Sequence, residues 1–117
     1  MTILSAISAK IEPYSVSDEA LELAFIESSH YFGLSGYSVE DDYDVSVLLK
    51  SISLSAMKIL SNLKTLSNEN LGGVSNSYDT SKIDKMIRAI ASSAGISSSL
   101  VGVDDISENT ISIARVW

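Results

Sequence analysis

The sequence predicts a mainly α protein: a small four-helix domain with one long central helix, a long extended loop or hairpin at about residues 65–79, and an extended C-terminal arm. Apolar residues recur at steps of three and four in four separate stretches, the spacing of one buried helix face. Capping residues stand ahead of three of these stretches, and glycine closes two of them. Between the third and fourth stretches the pattern gives way to Asn and Gly, the residues of turns.

In the first stretch Ile3, Leu4, Ile7 and Ile11 share a helical face, and Pro13, the one proline, closes it. A second helix starts at Ser17, a good N-cap, with Asp18 and Glu19 at the positive end of its dipole. Leu21, Ala24, Phe25 and Ser28 form its inner face, Leu23 and Ile26 sit beside that face, and Gly33 stops the helix. Residues 33–40 read as a loop, with two glycines and two serines. Glu40-Asp41-Asp42 then opens the longest element, with Asp41 or Asp42 as its cap. Val45, Leu48, Leu49, Ile52, Ala56, Ile59, Leu60 and Leu63 keep helical spacing throughout, which places a helix over Asp42–Leu63. After Lys64 the pattern dissolves, and Val74 to Tyr78 reads as extended, with Ser75 and Ser77 on one side. Thr80 or Ser81 caps a fourth helix whose face is Ile83, Met86, Ile87, Ile90, Ala91 and Ala94, with Gly95 as its C-cap. Thr110 to Trp117 alternates weakly, with Ile111 and Ile113 on one side, and reads as an extended arm.

A length of 117 residues suits one domain and is too short for two of ordinary size. Residues 1–109 are read as that domain and 110–117 as the arm. With 45% apolar and 20% charged residues the chain has enough apolar area for a core. Roughly a fifth of the residues are serine, well above the usual share, so the helices must lean on packing rather than on intrinsic propensity.

Composition also removes functions. Without cysteine there is no disulfide scaffold, Cys-ligated zinc or thiol nucleophile. No apolar run approaches the roughly 20 residues of a membrane span, and Met1–Ser5 has no basic segment of a secretory signal. Fifteen acids against eight bases give a formal charge of −7, which disfavours nucleic-acid binding through a basic face. His30, the one histidine, sits where a helix C-terminus favours a cation, and no nucleophile motif accompanies it. The acids at 40–44 lack the glycine and distal Glu of a calcium loop, and Gly72-Gly73 lacks the Gly-Lys-Ser/Thr ending of a phosphate loop. The expectation is therefore a protein that is not an enzyme, with no catalytic, cofactor or metal residues.

From Leu48 to Tyr78 a long apolar helix runs into Ser67-Asn68-Glu69-Asn70-Leu71-Gly72-Gly73-Val74-Ser75-Asn76-Ser77-Tyr78-Asp79, and a short amphipathic helix ending in Gly follows. This pattern resembles the small head–tail connector proteins of tailed bacteriophages, also called adaptor or head-completion proteins. The family has a core helix, then Glu, one or two Gly, Ser-x-Ser-Tyr/Phe, then a helix ending in Gly. Here Asn70 and Leu71 separate Glu69 from the glycine pair. The resemblance spans roughly Leu21 to Gly95.

That resemblance implies a structural virion protein without cofactors, at the head–tail interface of the virion and in the host cytoplasm during assembly. Its partners are the portal protein, neighbouring copies in a ring of about a dozen, and the next tail-side connector or tail protein. DNA only passes through the channel, without specific contact, and no membrane is involved. The interaction residues expected are Leu71, Gly72, Gly73, Val74, Ser75, Asn76, Ser77 and Tyr78 in the loop, with Ile111, Ile113 and Trp117 in the arm. The alternative is a small acidic regulatory or DNA-mimic protein that binds a host or phage protein; against it, the acids cluster at helix starts and turns.

Overall fold

The computed structural model of the chain describes residues 1–69 and 80–104, with backbone alone at 66–69. Its four helices are α1 (Ile3–Lys10), α2 (Asp18–Tyr31), α3 (Val45–Glu69) and α4 (Thr80–Ala94), followed by a 3-10 turn at Ser98–Val101. The described residues contain no strand; one isolated antiparallel bridge joins Thr2 to Asp42.

Side-chain oxygens start the helices. Thr2 accepts from the Ser5 N–H, Ser17 from the Ala20 N–H, and Asp44 from the Ser46 N–H, each meeting a donor that the first turn leaves without a helical partner. At the end of α2 the Gly33 N–H donates to the His30 carbonyl and the Leu34 N–H to the Ser29 carbonyl. This paired closure needs a left-handed residue, and Gly33 supplies it at φ +74°. Gly95 closes α4 by the same pair of bonds, to Ser92 and Ala91. The first helix gives way to a turn ending at Pro13, whose peptide bond with Glu12 is cis.

The long helix α3 is the spine. Its 25 residues span about 37 Å at 1.5 Å per residue. Every residue from Ser51 to Met57 is buried, because α1, α2, α4 and the 3-10 turn all pack on α3. A helix enclosed on all sides is normally apolar all round; here serine occupies much of that interior. Ser55 Oγ donates to the Ser51 carbonyl at 2.7 Å and to the Ala24 carbonyl of α2 at 3.3 Å. Lys64 Nζ reaches Asp84 of α4 at 2.7 Å. Ser55 and Lys64 are nine residues apart, and at about 100° per residue they point in opposite directions. Helices α2 and α4 therefore flank α3 on opposite sides. The core between them takes Ile3, Ile7 and Ile11, Leu21 and Phe25, Leu48, Ile52, Met57 and Leu60, and Ile83 and Ile87 from the successive elements, and Val103 from beyond the 3-10 turn.

The structure corrects the sequence reading in four places. Helix α3 starts at Val45, capped by Asp44, and not at Asp41 or Asp42. The Asp41 carboxylate instead accepts from the Ser38 N–H, and the carbonyls of Val39 and Asp41 accept from the N–H groups of Leu4 and Ile3. These bonds hold 38–42 against the N-terminus and delay the helix. Val45, counted with the apolar face, is exposed, although Leu48 three residues on is fully buried. At its far end α3 continues through 65–69, where the loop was expected to begin; nothing there breaks a helix, and Thr65 Oγ1 donates back to the Ser61 carbonyl. Thr80 and Ser81 are the first two helical residues of α4, so its cap position falls at 79, outside the described residues.

Candidate interaction surface

Five of the 14 residues of α2 are buried, yet its outer face is apolar as well. Leu21, Ala24, Phe25, Ser28 and Ser29 point inward. On the outside Leu23 is 57% exposed and Ile26 54%, three residues apart and thus neighbours on one face. Scattered exposed aliphatics are ordinary, whereas adjacent ones beside a cleft mark a surface that buries something.

Clefts lie on both sides of this row. Between α2 and α3 a groove of about 260 Å³ is walled by Val16, Ala20, Leu23, Ile59 and Leu63. At Glu27, Lys58 and Asn62 it meets a more polar cleft bounded by Leu100 and Val101 of the 3-10 turn. Lys58 Nζ stands 3.8 Å from Glu27 Oε1, an exposed pair that neutralises charge at that junction and contributes little stability. On the other side Phe25, Ile26, Ser29, His30, Leu34 and Tyr37 line a cleft of about 250 Å³. Ser29 Oγ is buried there with no hydrogen-bond partner among the described residues. Beyond it the rings of Tyr31 and Phe32 meet edge to face at 5.0 Å.

Charge divides between the two flanks. Helix α2 carries Asp18, Glu19, Glu22 and Glu27 and no Lys or Arg. Helix α4 carries Lys82, Lys85 and Arg88 against Asp84 alone, and Asp84 is paired inward with Lys64. Arg88 Nε also donates to the Asp104 carbonyl at 3.0 Å. Away from both flanks, burial pushes the Tyr43 phenol above the usual tyrosine value.

The interaction residues read from the sequence, 71–78 with Ile111, Ile113 and Trp117, all lie outside the described residues. What the sequence reading missed is the outer face of α2. A signal was there: Leu21, Leu23, Ala24, Phe25 and Ile26 put apolar side chains over more than half the turn, too wide for a single buried stripe. No described helix is long and apolar enough to cross a membrane.

Comparison with known families decides the relationship. A profile for a family of unknown function, DUF6706, matches residues 1–117. The chain belongs to DUF6706. No curated protein and no solved structure matches this DUF6706 chain.

Proposed function

We propose that this DUF6706 chain is a structural virion protein that joins a phage head, at the portal, to the tail, as one subunit of an oligomeric ring through which DNA passes. The observation that carries the reading is the order of elements around the connector-like motif. A long helix ends at Glu69, an amphipathic helix runs from Thr80 to a closing Gly95, and Gly72 to Tyr78 fall in the ten residues between them. The excess of acids also suits a DNA conduit, because like charge keeps phosphates from adhering to the wall.

The test is sedimentation of the full chain with and without the portal protein of the same phage. Comigration with the portal is expected, together with loss of tail attachment when 72–76 are replaced by a short neutral linker in a chain that stays folded. A chain that never binds the portal, or a linker variant that yields virions at the normal level, would overturn the proposal.

A further inference from the structure

We propose that the outer face of α2 on one copy docks on the outer face of α4 on a second copy, head to tail. The two faces are complementary in charge and in side-chain size. On α2, Leu23 and Ile26 lie among Glu19, Glu22 and Glu27. On α4, Lys82 and Lys85 are exposed and lead into Ala89, Ser92 and Ser93, also exposed. Those three small residues leave room for the two aliphatic side chains of the opposing helix. The spacing agrees as well: Glu19, Glu22 and Ile26 follow the same steps of three and four as Lys82, Lys85 and Ala89. One register therefore sets both acids against both bases and Ile26 against the small residues.

Placement then decides the kind of assembly. Helices α2 and α4 lie on opposite flanks of α3, so one copy cannot satisfy its own faces by packing α2 on α4. Two different patches on opposite sides of one body make a heterologous contact, which repeats from copy to copy until it closes into a ring or runs on as a filament. A chain of formal charge −7 would otherwise repel its own copies. The local excess of bases on α4 gives that repulsion one place of exception.

This inference deepens the ring reading above, and its test reads self-association with no other protein present. A chain that binds a portal yet never self-associates therefore fails here alone. Sedimentation velocity on the full chain is expected to show association at 0.1 M salt. At 1 M salt association weakens by about tenfold or more, since the screening length falls from about 10 Å to about 3 Å. Lys82→Glu with Lys85→Glu weakens it by about tenfold or more, and so does Glu19→Lys with Glu22→Lys. All four positions are exposed, and melting temperatures check that both variants fold. An equimolar mixture of the two variants presents opposite charges at every contact again and restores association. Three results overturn the proposal: a wild-type chain monomeric at about 1 mM, charge variants that associate like the wild type, or a mixture that stays dissociated.

Discussion

Two serines one turn-half apart on α3 give opposite answers to the same substitution. Ser53 and Ser55 are both fully buried. Ser55 Oγ donates to the carbonyls of Ser51 and Ala24, whereas Ser53 Oγ has no partner among the described residues. Replacing either by alanine raises helix propensity by about 0.5 kcal/mol. At Ser53 the change also removes a buried hydroxyl whose lost hydration costs about 1–3 kcal/mol. Ser53→Ala is therefore expected to stabilise the domain by at least about 1.5 kcal/mol. At Ser55 the change forfeits hydrogen bonding worth about 0.5–1.5 kcal/mol, so Ser55→Ala is expected to be neutral or to cost up to about 1 kcal/mol. For a chain of this length each kcal/mol moves the melting temperature by about 3–5 °C, which separates the variants by roughly 5 °C or more. Thermal unfolding followed by circular dichroism at 222 nm, with urea titration as a second probe, reads the difference. A Ser53→Ala chain no more stable than wild type would refute the reasoning, as would equal shifts in both variants.

Ile52, fully buried in the middle of the enclosed stretch of α3, is expected to cost about 2–5 kcal/mol when cut to alanine, and urea unfolding with an unchanged m-value checks that the loss is one of packing. Burial raises the pKa of Tyr43 above its unfolded value, so its contribution to stability is complete below the unfolded pKa and is lost as pH rises through the folded one. Tyr43→Phe is accordingly expected to flatten the alkaline loss of stability in melts taken on either side of pH 10; a variant that keeps the wild-type slope would assign that loss to other groups.

How much of this was legible in the sequence depended on how local the deciding physics was. Ser17 and Gly33 could be placed because a cap needs only its own turn: a hydroxyl for one N–H, and a residue free to take positive φ. The start of α3 could not. Asp41, Asp42 and Asp44 are equally able to cap, and the choice fell to Asp44 because the N-terminus, distant in sequence, takes the carbonyls of Val39 and Asp41. The burial of Ser51, Ser53 and Ser55 was equally hidden. Serine at those positions reads as a polar face, and only the arrival of helices on opposite flanks of α3 makes it interior. Leu23 and Ile26 show the converse. Their spacing beside the buried face says nothing about whether another element covers them, and within the described chain none does. The loop and arm residues chosen from the motif lie outside the described residues, so the candidate surface on α2 and α4 comes from the structure alone.

The serine-rich interior and the proposed assembly bear on one another. A ring subunit needs two different surfaces held at a fixed angle, because that angle sets how many copies close the circle. In this chain the angle between the outer faces of α2 and α4 is set by how both helices seat on α3. The contact with α2 includes a meeting of small residues, Ser55 on one side and Ala24 on the other. Small side chains leave few rotamers to exchange and bring helix axes toward the close end of the usual 8–10 Å range. The hydrogen bond from Ser55 to the Ala24 carbonyl adds direction that aliphatic contact lacks. On the other flank the direction comes from Lys64 and Asp84, half-buried and 2.7 Å apart. Larger apolar residues in place of the serines would bury more area and leave more ways to pack it. The composition that weakens the helices as isolated elements thus fixes their relative orientation once they are assembled, and orientation is what a repeating head-to-tail contact transmits from one copy to the next.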